Sequence, residues 1–312
     1  MAHIQQQTLD SSVTVPEPGE QPARPRVRSQ ALYAQTMHRL QRSTTALFGL
    51  GMLLLLVLVA IFADVLAPYS PILNDSTATF QAPSRQHVLG TDQFGRDMLS
   101  RIIHGSRVSL AVGLSSVLLA MFLGVPLGLI AGFYGGTLDS VIMRAMDLVL
   151  SFPVFLLAIV IMIMFTPTAG LLGAMKVIMA IGIVRIPIYA RLVRGSVLSI
   201  KEKEYIEACR AVGQYDPRIL LWHILPNCMT PIIVTGTLSI ATAIIVEASL
   251  SFLGLGTQPP TPSWGWDLKA NVPWIQMQPW LALGPGAAIF ITVLSFNLFG
   301  DGLRDALDPR LK

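Results

Sequence analysis

Charge is scarce in this chain. Only 13% of its 312 residues are Asp, Glu, Lys or Arg, about half the share of an average soluble domain. Hydrophobic residues make up 53%, more apolar surface than a water-soluble fold can hide. Cysteine is nearly missing: Cys209 and Cys228 are the only two, which excludes a disulfide framework. The five histidines, His3, His38, His87, His104 and His223, have no HExxH or CxxC companion, so no metal site is expected. No G-x-x-x-x-G-K-S/T stretch occurs, which excludes nucleotide binding by that loop. Paired catalytic residues are missing, which speaks against a hydrolase. No run of ionisable groups crosses the middle of an apolar segment, which speaks against a proton-coupled carrier. The net charge of +4 comes from bases flanking apolar runs, a pattern of membrane orientation and not of nucleic-acid binding.

What the chain does have is length without charge. Crossing a bilayer takes about 20 mostly apolar residues, and six segments qualify: about 43–66, 108–134, 141–165, 171–190, 228–246 and 281–300. The expected fold class is an all-α polytopic membrane protein. Residues 1–42, rich in Gln, Pro, Ser and Arg, read as a disordered cytoplasmic tail, and residues 43–312 as the transmembrane domain. The first apolar run is too long for a signal-peptide core and is read as a retained span.

Several local expectations follow. Met98, Leu99, Ile102 and Ile103 share one helical face and Arg96, Asp97, Ser100 and Arg101 the other, which predicts a short helix lying flat at the membrane surface. Gly124, Gly128, Gly132 and Gly136 recur every four residues and predict a bare face for close helix packing. Arg144 and Asp147 at i and i+3 are expected to pair. Lys176 and Arg185, inside the fourth span, must snorkel or face protein. Thr235, Ser239 and Thr242 form a mildly polar stripe that suits either a wet path or hydroxyls bonding their own backbone. Glu247 reads as a gate element or a loop contact. Trp264, Trp266, Trp274 and Trp280 suggest an aromatic belt or loop packing near the outer surface.

Orientation follows from the bases. The stretch from Arg185 to Asn227 carries Arg185, Arg191, Arg194, Lys201, Lys203, Arg210 and Arg218, and the loop after the fifth span only Lys269. The positive-inside bias then places both termini in the cytoplasm, although Arg85, Arg96, Arg101 and Arg107 stand against it in the first external loop.

The cytoplasmic loop, about 199–226, holds the densest local signals. Ser199 and Glu202 read as a capping box opening a helix near Ile200, Gly213 as its stop, and Asp216-Pro217 as the cap and first turn of a second helix. Tyr205, Cys209 and Val212 are expected to share its apolar face, with Lys203, Glu207 and Arg210 on a polar edge. Such a hairpin suits docking onto another protein, or folding back on the bilayer.

Glu207-Ala208-Cys209, Gly213 and Ile224-Leu225-Pro226 resemble the EAA loop of ATP-binding-cassette (ABC) importer permeases, with Cys209 in place of an alanine and His223 where isoleucine is usual. Leu89-Gly90-Thr91-Asp92 with Gly95-Arg96-Asp97, the run Ser249 to Gly256 with Gln258-Pro259-Pro260, and Gly300 to Pro309 are similar to the peptide and nickel branch of that family, in its C-type subunit. The resemblance implies a type I (MetI-like) permease fold in a bacterial inner membrane. It also implies a second homologous permease subunit, two ATPase subunits and a periplasmic or lipid-anchored solute-binding protein. On this reading the chain is not an enzyme and holds no cofactor; ATP and Mg belong to the ATPases, which the EAA loop would contact. The substrates implied are dipeptides and oligopeptides first, then glutathione or nickel.

Overall fold

The structure, a computed structural model, describes residues 43–307. The tail at 1–42 and Asp308-Pro309 lie outside them. Among the described residues five helices are long and apolar enough to cross a membrane, or up to six where a sharply bent helix pair counts as one span.

Helix α1 (Thr44–Ile61) starts where Ser43 Oγ accepts the Ala46 N–H, satisfying one of the free amides of a helix start. A single turn, α2 (Ala63–Leu66), follows. Helix α3 (Met98–Tyr134) has 37 residues, about 55 Å at 1.5 Å per residue. It corrects the expected surface helix, because residues 98–107 are the first turns of the span itself. Asp97 caps it, accepting Ser100 N–H at 2.8 Å and Ser100 Oγ–H at 2.7 Å. The face with Arg101 packs inward against protein, and is not at the lipid surface.

The third expected span is broken. Helices α4 (Gly136–Leu150) and α5 (Val154–Ile163) are bent by 85°. Pro153 supplies the physical cause, since it disfavours helical backbone at Phe152 and lacks the N–H that would continue the ladder. Asp147 does not pair with Arg144; its partner is Arg191 on α6.

Helix α6 (Gly170–Lys201) runs a further three turns past the expected end at Ala190. Arg191 and Arg194 do not stop it, because they bond Asp147 and Asp139 of α4. The expected capping box is therefore not used: Ser199 is still inside α6, and α7 (Glu204–Ala211) begins after Lys203 with no side-chain cap. Helix α8 (Asp216–Phe252) starts after Tyr215, so Asp216 is its first residue and not its cap. Residues Ile219–Ile224 of α8 are wound as π-helix. The end of the bundle opposite the hairpin then carries α9 (Trp264–Asn271), and α10 (Pro279–Leu307) returns.

Packing is set by missing side chains. A Cβ on Gly124, Gly128 or Gly132 would lie 2.6 Å from Ile186 O, 2.4 Å from Ala190 O or 2.8 Å from Val197 Cβ, so α3 and α6 touch along their backbones. Gly136 does not join this face: it opens α4 at φ +58 with nothing around it. At the same end of the bundle, Gly302 of α10 is seated on Ala46 of α1. That closes the start of α1, the end of α10 and the 202–224 hairpin onto one side, leaving residues 67–97 and 253–278 on the other.

Candidate functional site

The hairpin is anchored from below. Ile206, Ile219 and Ile224 are fully buried and join Leu129 and Phe133 of α3 and Val193, Val197 and Ile200 of α6 in one apolar cluster. This corrects the expected apolar face: Tyr205 and Val212 are exposed, and Ile206, with Cys209 half-buried, points inward. The reason is geometric, since α7 has only 8 residues and its approach angle to α6 decides which of two adjacent apolar stripes is covered.

Gly213 makes the bend. Its φ is +76, a left-handed conformation that only glycine adopts without strain. Its N–H reaches Arg210 O at 2.9 Å, and the Gln214 N–H reaches Cys209 O at 3.1 Å. His223 then locks the turn, its Nε2 lying 3.0 Å from Gln214 Oε1. The residue that departs from the usual motif thus has a contact of its own. Arg210 stacks over the Phe133 ring at 5.4 Å, tying α7 to the end of α3.

The outward surface is uncovered. Glu207 and Ala208 are exposed on α7, and Glu207 makes no hydrogen bond with the described residues. Beside them Val212, Tyr215, Leu221 and Trp222 project large apolar surfaces, Tyr215 being 82% and Trp222 76% exposed. Leu225 is half-buried and Pro226 exposed at the start of the membrane portion of α8. Exposed aromatic clusters rimmed by charge are the mark of contact with another protein.

The polar stripe on α8 is divided. Thr235 borders an open groove with Thr230, Leu238 and Arg304. Ser239 is buried, and exposed Thr242 accepts Nη2 of Arg185 at 2.9 Å. Glu247 is no exposed gate: it is buried and accepts Ser109 Oγ–H at 3.1 Å and Ser251 Oγ–H at 2.8 Å. Lys176 reaches Thr166 O at 2.8 Å.

At the end opposite the hairpin, the segments 67–97 and 253–278 interlock. Asp92 accepts from the Phe94 and Arg96 amides and pairs with the Arg96 side chain; Asp97 holds His87 Nδ1 at 2.9 Å. Arg101 bonds Asp267 and Pro71 O. Trp264 is core and not belt, with its Nε1–H donating to Ile102 O at 2.9 Å. Gln258 folds back on Gly254 O and Gly256 O. Three of the four arginines that stood against the orientation are thus ion-paired, Arg107 with Asp64 being the third. The partners of Arg101 and Arg107 are distant in the chain, which hid those pairs from sequence reasoning, whereas Asp92 stands only four positions from Arg96. No group of three metal-ligating side chains exists among the described residues.

A helical bundle with long apolar helices packed through glycine, capped at one end by interlocked segments and fitted at the other with an exposed hairpin, is a polytopic membrane domain. Residues 124–312 match the family model of the binding-protein-dependent transport system inner membrane component, and residues 32–83 match the N-terminal TM domain of oligopeptide transport permease C. The chain is 43% identical to a dipeptide transport system permease protein of Alkalihalophilus pseudofirmus, covering 95% of this chain and 96% of that one. It is 46% identical to a glutathione transport system permease protein of Pectobacterium atrosepticum, covering 83% and 85%. Among solved structures, the inward-facing MetNI methionine ABC transporter has a chain that matches with a TM-score of 0.55 and 20% identity over 68% of this chain and 98% of that one; this likeness speaks for the fold. The chain belongs to the family of inner-membrane permease components of ABC transport systems.

Proposed function

We propose that the chain forms, with a second homologous permease subunit, the path by which an ABC importer carries a peptide delivered by an external solute-binding protein. The exposed Tyr215 and Trp222, standing on a hairpin whose Ile206 and Ile219 are welded to α3 and α6, carry this reading. A push on that surface has a stiff route to both helices, whereas a solvated loop would need neither the anchor nor the aromatic face. Glu207, Ala208, Cys209, Gly213, Ile224, Leu225 and Pro226 are the docking and bending elements, and the hairpin side with both termini is cytoplasmic. ATP and Mg reside on two partner ATPases, and this chain supplies no catalysis. Switching a membrane domain from 1:99 to 99:1 between its two facings takes about 5.5 kcal/mol of differential binding, and this energy must cross the hairpin contact.

The relatives' names point to dipeptides and oligopeptides as cargo, with glutathione as the second reading because one relative at 46% identity is a glutathione permease. The test is co-purification of the tagged chain with the second permease and two ATPases, followed by disulfide trapping from Tyr215→Cys or Trp222→Cys to the ATPase. A specific permease–ATPase crosslink that changes yield with ATP is expected. A hairpin cysteine that forms no crosslink to the ATPase would overturn the assignment.

A further inference from the structure

Arg185 lies deep in the apolar helix α6 and is only 5% exposed. A guanidinium at that depth is costly unless it is paired, yet none of the ion pairs among the described residues includes it. Its hydrogen bond goes to a neutral group, Thr242 Oγ1 at 2.9 Å, and its Nε is buried with no partner. One turn along the same helix, Tyr189 is fully buried, its hydroxyl beside that of Ser239. The guanidinium Nε therefore stands without an acceptor in a region where each unmet polar group is expensive.

The acceptor has to come from outside this subunit. Thr242, which receives the guanidinium, is exposed, so the cluster opens at an uncovered face of α8. Lipid tails offer no acceptor; that face therefore looks onto a wet or proteinaceous interior. A planar guanidinium with a free Nε edge matches a carboxylate, which can take two parallel N–H bonds. Every linear peptide carries one carboxylate at its end, whatever its side chains. The neutral Thr242 and the lack of a resident acid keep the station vacant between passengers, and a single station can release what it holds, as conduction requires.

The geometry points to Arg185, supported by Tyr189 and Thr242, as a carboxylate-binding station on the translocation path, which holds the terminal carboxylate of a passing peptide. The inference rests on the importer reading above. The same donors would also suit an acidic side chain of the second permease subunit, and the experiment separates the two sources.

The complete importer is reconstituted in proteoliposomes with its binding protein. Uptake is measured for a dipeptide and for its C-terminal amide, each at a concentration that saturates the binding protein. The wild type should favour the free acid by about tenfold, the scale of one charged hydrogen-bonded contact. Arg185→Gln should bring that ratio close to one, Arg185→Lys should keep most of it, and Tyr189→Phe should lower it by a few-fold. A wild-type ratio near one, a ratio unchanged in Arg185→Gln, or loss of subunit assembly in all three variants would overturn the station; the last outcome would assign Arg185 to a carboxylate of the partner subunit. No ATP-dependent uptake of either compound by the wild type would instead overturn the importer reading.

Discussion

Arg101 and Asp267 are 166 positions apart in the chain, and their Nη2 and Oδ1 atoms lie 2.5 Å apart in a place sealed from solvent. The pair joins the start of α3 to α9, so the two segments at that end are tied into one cap over the helical bundle. Pro71 O takes a further bond from the same guanidinium at 2.8 Å, which pins the loop before α3 as well.

Removing one partner strands the other charge. Arg101→Ala or Asp267→Ala should destabilise the protein by about 3–5 kcal/mol, while a double change to apolar residues of similar size should recover much of the loss. Thermal unfolding in detergent, compared across the single and double variants, measures this. Equal losses in the double and single variants would contradict it.

The α3–α6 contact should be intolerant of a single methyl. A Cβ at Gly128 would sit 2.4 Å from Ala190 O and 2.9 Å from Val193 Cβ, so Gly128→Ala should cost about 1–3 kcal/mol through forced backbone separation. Gly51→Ala in α1, where nothing lies within 4 Å, should change stability by less than about 0.5 kcal/mol. The same melting assay compares them.

Arg107 closes the end of α1, bonding Ala60 O and Ile61 O and gripping both oxygens of Asp64. That hydrogen bond holds the Asp64 carboxyl below its ordinary range. A depressed carboxylate stabilises the fold above its unfolded pKa, about 3.9, and the contribution is lost as pH falls through the lower folded value. The difference in melting temperature between wild type and Arg107→Gln, followed from pH 7 downward, should therefore shrink below about pH 4 as the carboxylate is neutralised, leaving the part due to the two carbonyl bonds.

On the hairpin, Glu207→Lys and Trp222→Ala should leave folding intact, since both side chains are exposed and make no anchoring contact. Both should depress ATP-coupled uptake, Glu207→Lys by tenfold or more if it opposes a cationic site on the ATPase. Ile206→Asp is the contrasting case: it places a charge in the apolar cluster beneath the hairpin and should unfold the loop, seen as increased proteolysis at residues 202–224.

The membrane class and the position of the hairpin were legible in the chain, because each rests on local apolar length or on a glycine at a turn; of the six expected spans, five are long helices and the third is a bent pair. Gly213 stops α7 as its residue type requires. Helix ends were less legible. Arg191 and Arg194 look like the border of a span, yet α6 passes through them because Asp147 and Asp139 neutralise them from α4. The third crossing read as one segment because apolar length carries no information about the break that Pro153 introduces.

Hydrophobic length and residue type alone determined that this chain lives in a bilayer and where its backbone can turn sharply. Those properties depend on each segment's own free energy of transfer and on its own backbone freedom. Which polar residues are paired, which are stranded and which apolar face of α7 is left open depended on tertiary structure. Arg101 and Arg185 are both arginines on apolar helices, and nothing nearby in the chain separates them. One meets Asp267 across the fold and the other meets only a hydroxyl, because pairing of buried charge is decided by the distance between helices and not by the distance along the chain.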